Sequence, residues 1–184
     1  MRLATEQEEI HRLGGEIVAV TVDSPGRNAA LAHRWRLPFA IHSDPGGARI
    51  LQPLGLWNAL ERGGIAWPAL LVVHPDGQEA YRYRSRDFAD RPTDDDLLAV
   101  LATQSLPACD LPPPWDPGVE PVEDAGALRV DAFGPFFRGI RSATGALAGR
   151  LATDADRAEA NAMRAMATSF LDAWKTWRDQ VSAP

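Results

Sequence analysis

Cysteine is nearly missing from this chain: Cys109 is the only one in 184 residues. A single thiol excludes an internal disulfide and any Cys-x-x-Cys pair. Long apolar runs are missing too, none approaching the ~20 residues that a membrane-spanning helix needs. Bases are outnumbered, 19 Lys and Arg against 25 Asp and Glu for a net charge of −6. That balance argues against nucleic acid, whose phosphates call for basic patches. The N-terminal residues, with Glu6, Glu8 and Glu9, do not read as a signal peptide, which needs a basic and then an apolar start. A cytoplasmic location is expected. G-x-G-x-x-G, the P-loop and G-x-S-x-G are all absent, which removes nucleotide and α/β-hydrolase readings. His11 on a polar helix face, His33, His42 and His74 lack the short spacing of a helical metal site. His42 and His74 both follow strands and could meet only through the fold. Solvated surface histidines are the expectation, with no metal and no cofactor.

What is present is ordinary for a soluble protein: 45% hydrophobic and 24% charged residues, enough chain for one good core with an appendage. The pattern is organised around residues 64–77. Residues 69–73 are a continuous apolar run, the mark of a strand buried on both faces. Pro75-Asp76-Gly77 makes a turn, and residues 79–84 alternate as a strand facing the core on one side. Pro68, with no N–H for a ladder, suits the first position of a strand, and a cis Trp67–Pro68 bond is expected.

In chain order, residues 3–13 predict one helix with Leu3, Ile10 and Leu13 on its inner face, ended by Gly14-Gly15. Residues 16–22 predict a buried β-branched strand. Asp23 and Ser24 follow at its carboxyl end, where α/β folds place their sites. The plainer role for either is to cap a helix over residues 27–35, with Pro25 near its first turn. Residues 37–41 predict a short strand and 48–54 a short helix, followed by irregular chain over 55–58.

These residues carry a resemblance. Val-Asp-Ser-Pro after the strand, Leu-Pro-Phe at 37–39, Ser-Asp-Pro-Gly at 43–46, Gly55-Leu56, and Pro68 with its strand and Asp-Gly hairpin occur in an order similar to the peroxiredoxin-like (AhpC/TSA, redoxin) branch of the thioredoxin superfamily. The match covers about residues 3–103, ending in a helix over 93–102. It implies a truncated thioredoxin-like, three-layer α/β/α fold with a C-terminal helical extension, in a family that reduces peroxides or disulfides through a cysteine thiol. By that resemblance Trp67 and Pro68 correspond to the proline loop that faces the redox centre, and Asp23 and Ser24 line the same region.

The departures are equally specific. In that family the catalytic cysteine precedes the helix that here starts at Leu3, so no residue of this sequence inherits the reactive thiol. The peroxide-binding arginine would fall near Pro68, where no arginine stands. The strand lost with the cysteine would lie between residues 16–22 and 69–73, and those two runs are expected to share one sheet. Three outcomes are open: the two strands pair directly, another chain donates a strand, or Met1 is not the true start. Unpaired buried backbone groups make the question physical, at ~1–3 kcal/mol each. Cys109 stands outside every family motif beside Asp110, with no base to lower its pKa, so the chain as written is expected to be inactive. It is a low-ranking candidate for a catalytic thiol and a better bystander.

Three segments are expected: a thioredoxin-like domain over 1–104, a proline-rich linker over 105–125 anchored by Trp115, and a helical extension over 126–184. Residues 127–132 read as strand or loop, and a helix is predicted from Pro135 towards Arg150. Thr153 reads as an N-cap. The helix after it bears an apolar stripe from Ala155 to Trp177 at spacings of three and four. That stripe has three candidate partners: the same chain, a second copy in a homodimer, and a membrane surface, the last disfavoured by mixed charge. A non-catalytic interaction or dimerisation protein using this helix is the alternative function. A thiol reductant protein would be a partner only for a longer form carrying the missing thiol.

Overall fold

The computed structural model describes residues 2–85, 94–110, 113, 115–123 and 129–181. The chain divides into two compact units, Glu6–Ala125 and Met1–Thr5 together with Gly126–Pro184. The single helix expected over 3–13 is broken. α1 (Arg2–Thr5) and α2 (Gln7–Arg12) are separated by Glu6, whose φ of −101° and ψ of 7° leave the helical well. The break has a packing reason: α1 contacts the C-terminal helix, whereas α2 buries Ile10 in the other unit. Gly14 closes α2 at φ 78° with its N–H on the His11 carbonyl, the left-handed cap that the sequence predicts.

In the Glu6–Ala125 unit, β1 (Val18–Thr21), α3 (Pro25–Trp35) and β2 (Ala40–Ser43) form a parallel crossover, in register from Val18 opposite Ala40 to Thr21 opposite Ser43. α3 buries Ala29, Ala30, Ala32 and Trp35. Residues 48–54 are not helical. They run as successive turns, because the N–H groups of Gln52 and Leu56 reach back five residues, to Gly47 and Leu51, rather than four. β3 (Trp57–Asn58) and β4 (Ile65–Ala66) then make a small antiparallel pair where irregular chain is expected. β5 (Ala69–Val73) and β6 (Glu79–Arg84) are the predicted hairpin, with a bulge where Val73 pairs with Glu79 and passes over Ala80. α4 (Asp94–Thr103) packs on β5 and buries Leu97 and Leu101; its predicted start at Thr93 lies outside the described residues.

Two expectations fail here. Among the described residues, 17–22 and 69–73 do not share a sheet: β1 bonds β2, β5 bonds β6, and the two runs do not pair directly. Each strand is therefore an edge, and the double burial read from the apolar runs is not reached. Only Val72 of β5 is buried, while Val18 and Val73 are more than half exposed. Second, the Trp67–Pro68 bond is trans, as every described peptide bond is. The chain runs extended from β4 into β5, with Trp67 N–H donating to Leu56 O and Pro68 O accepting from Ser85 N–H, which a trans bond allows.

The predicted linker lies on this unit. Val122 N–H donates to Gly26 O at 2.9 Å, and Arg34 pairs with Glu123. Trp115 is half-buried. Leu111, Pro112 and Pro114 lie outside the described residues.

In the other unit, α5 (Val130–Ala148) and α6 (Asp154–Val181) form a helical pair. α5 starts five residues before Pro135, the predicted start, so 130–132 are helical and the proline ring sits in the second turn. Thr153 caps α6 as predicted, its Oγ1 accepting from Asp156 N–H at 3.1 Å. The α6 stripe faces the preceding helix: Phe137 lies tilted against Phe170 at 4.8 Å between ring centroids, and Phe133 stacks on Trp174 at 6.4 Å. Ala167 and Trp177 are buried along it.

Candidate functional site

The parallel pair ends in polar residues, and they are tied together. Thr21 at the end of β1 donates its hydroxyl to Asn28 Oδ1 at 2.9 Å, and Asn28 Nδ2 donates to Ser43 Oγ at 2.8 Å at the end of β2. Asn28 is 1% exposed. It satisfies in one side chain the polar ends of both strands and the inner face of α3, as a buried amide must. Ser24 is the N-cap of α3, its Oγ accepting from Arg27 N–H at 3.4 Å, with Pro25 at the first helical position. Asp23 lies 3.5 Å from Arg27 in a half-exposed pair. Such pairs contribute little, and both residues serve the start of the helix.

Asp44 follows β2 and is 1% exposed. One carboxylate oxygen accepts from Ile50 and Leu51 N–H at 2.8 and 2.9 Å, the other from Arg49 N–H at 3.1 Å. Burial alone pushes this carboxyl up, but the three N–H groups outweigh it and hold it below the ordinary aspartate value. Its lone pairs are committed to the loop over 44–51, so its role is to shape that loop.

Trp67 and Pro68 stand at the entrance to β5, both half-buried, and the Arg84 guanidinium lies 5.4 Å over the Trp67 ring. Asp23 and Ser24 follow the carboxyl end of β1, and Trp67 and Pro68 precede the amino end of β5.

Cys109 is exposed, in the segment after α4. Its N–H donates to His11 O at 3.0 Å, and its thiol lies 3.2 Å from Gly15 O and 3.6 Å from His11 O. The sulfur is a hydrogen-bond donor to backbone carbonyls, and among the described residues no basic partner, which a nucleophilic thiol needs, bonds it. His11 departs from expectation: it is 3% exposed rather than solvated, and its Nδ1 has no hydrogen-bond partner among the described residues. His33 and His42 are exposed, and His74 is half-exposed with Nδ1 2.9 Å from Asp76 Oδ1 in the hairpin turn.

Sequence reading missed Thr21, Asn28, Ser43 and Asp44. The available signal was positional: polar residues ending two adjacent parallel strands, with an asparagine one turn into the helix between them. The set offers hydroxyls, an amide and a carboxylate that is already fully accepted, which suits hydrogen bonding and not proton transfer. Among the described residues no group of three or more His, Cys, Asp or Glu could hold a metal ion, and no helix is long and apolar enough to cross a membrane. No family model matches the chain, and no curated protein matches its sequence.

Proposed function

We propose that this chain is a thioredoxin-like, peroxiredoxin-like protein, of a family performing thiol-dependent peroxide or disulfide reduction, and that the sequence as written is inactive in that chemistry because Cys109 is not a working thiol. The order of elements supports this reading. A helix, a parallel crossover and an antiparallel hairpin entered through Pro68, with a closing helix, follow each other over about 100 residues. The observation that carries the non-catalytic part is the position of the sole cysteine. Cys109 sits after α4 and donates to the carbonyls of residues 11 and 15, while the carboxyl ends of β1 and β2 carry Thr21 and Ser43, joined by Asn28 of α3.

The test is hydrogen peroxide turnover with dithiothreitol or thioredoxin as donor. The expected rate equals the protein-free control and is unchanged by Cys109→Ser. Turnover that disappears in Cys109→Ser would overturn the proposal. The alternative, dimerisation through the C-terminal helix, has less to recommend it, since the α6 stripe is occupied by α5 of the same chain.

A further inference from the structure

The α5–α6 pair carries a polar groove of about 560 Å³ lined by Arg141, Ser142 and Gly145 of α5 and by Arg164 and Thr168 of α6. Two arginines from different helices line one groove, with no carboxylate among its lining residues. Neither arginine has an ion-pair partner among the described residues. Three other arginines of this unit do, Arg129 with Asp131, Arg157 with Asp154 and Arg178 with Asp179, whereas Arg138 and Arg150 share the unpaired state among the described residues without lining the groove. The sequence makes the difference. Positions three and four residues either side of Arg141 hold Phe137, Arg138, Thr144 and Gly145, and those around Arg164 hold Ala160, Asn161, Ala167 and Thr168. No acid stands where a helix would pair it. Residues 129–181 also reverse the balance of the whole chain, with eight Lys and Arg against six Asp and Glu.

Gly145 supplies the second feature. The Arg164 side chain lies across it so closely that a Cβ there would stand 3.3 Å from Nε and 3.4 Å from Cζ. A bare glycine leaves room for the Arg164 side chain to lie against the α5 backbone. The helices beneath are held by buried small residues, Thr144 and Ala148 on α5 and Ala167 on α6. The Ser142 hydroxyl is exposed at the rim; Thr168 donates its own to Arg164 O at 3.0 Å and keeps oxygen lone pairs.

We propose that this groove binds a small phosphate monoester, with the phosphoryl oxygens shared between Arg141 and Arg164. A planar guanidinium donates two parallel N–H bonds to a tetrahedral oxyanion, and two of them suit a dianion better than a single carboxylate. The volume exceeds what phosphate alone fills and lies within the range of small-ligand sites. The site is independent of the thiol-peroxidase reading and stands or falls separately from it.

The experiment titrates the ¹⁵N-labelled full chain with inorganic phosphate and with glycerol 2-phosphate at fixed ionic strength, observing the arginine Nε–H and Gly145 amide signals. Saturable shifts confined to the groove are expected, with glycerol 2-phosphate binding more tightly than phosphate. Arg141→Ala and Arg164→Ala should each weaken binding roughly tenfold. Gly145→Val should weaken it with the charge unchanged, and Arg164→Lys, the variant least disturbing to the helix, should fall between. Non-saturating shifts, or equal affinity in Arg164→Lys and the unaltered chain, would overturn the proposal. So would tighter capture of RNA or anionic vesicles through the same arginines, which would make the partner a polyanion.

Discussion

Asp44 shows how one buried carboxylate can fix a loop and make the fold acid-sensitive. Its ionised form accepts three backbone N–H groups, and the folded chain therefore holds its pKa below that of the unfolded chain. Asp76 shifts the same way, through the Gln78 N–H and then His74. Between the folded and unfolded pKa values the unfolded state binds more protons, so stability rises with pH across that window. The contribution is complete above the ordinary aspartate value, about pH 4, and is lost as pH falls through the lower folded value. Urea denaturation from pH 6 to pH 2 should show a flat midpoint that drops below pH 4. Asp44→Asn should flatten that drop and lower Tm at pH 7 by roughly 5 °C; an unchanged acid profile would remove Asp44 from this role. The sequence gives Asp44 away only as a turn residue, since its three donors, Arg49 to Leu51, read as the start of a helix. His11 was misplaced for a related reason. Helical periodicity places it on a polar face, whereas the segment containing Cys109 returns to the His11 carbonyl and the residue is buried.

At the scale of elements, the β3–β4 pair is built on one indole. Gly64, at φ 119°, lies so near Trp57 that a Cβ would stand 2.1 Å from Cζ2, and Gly47 meets the other part of the same ring at 2.3 Å. Gly63 next door has φ 80° and nothing within 4 Å. Alanine at either 63 or 64 strains a backbone of positive φ, but only Gly64→Ala also forces a methyl into a rigid ring. Gly64→Ala should therefore cost about 1–3 kcal/mol more than Gly63→Ala, read from urea midpoints of the two variants. Equal losses would mean that Trp57 moves aside freely. Legibility at this scale follows the range of the cause. The β5–β6 hairpin was readable to its end residues because its turn, Pro75-Asp76-Gly77, and its alternation are local. The Thr153 cap was readable for the same reason. The β3–β4 pair was not, because two-residue strands carry no period and the contact between Trp57 and the glycines ten residues before and seven after it follows no helical or strand spacing. The break at Glu6 was equally hidden, since its cause lies in what α1 packs against.

Over the whole molecule the consequential feature is that, among the described residues, three two-stranded sheets stand where a continuous one is expected. A two-stranded sheet has an open edge on each strand, with backbone donors and acceptors available to another chain. Here the open strands are also the most apolar ones, VAVT in β1 and ALLVV in β5, and each exposes a valine: Val18 at 56% and Val73 at 55%. Periodicity revealed these runs as strands but could not show their neighbours, because burial on both faces depends on what pairs alongside. If the edges are open in solution, Val18→Lys and Val73→Lys replace exposed methyl groups by charge and should change folding stability by no more than about 0.5 kcal/mol. The same two changes should reduce concentration-dependent association in light scattering, since lysine on an edge is how natural sheets discourage strand addition. Losses of 2 kcal/mol or more would instead show that both valines are covered in the folded protein, and that β1 and β5 have partners beyond β2 and β6.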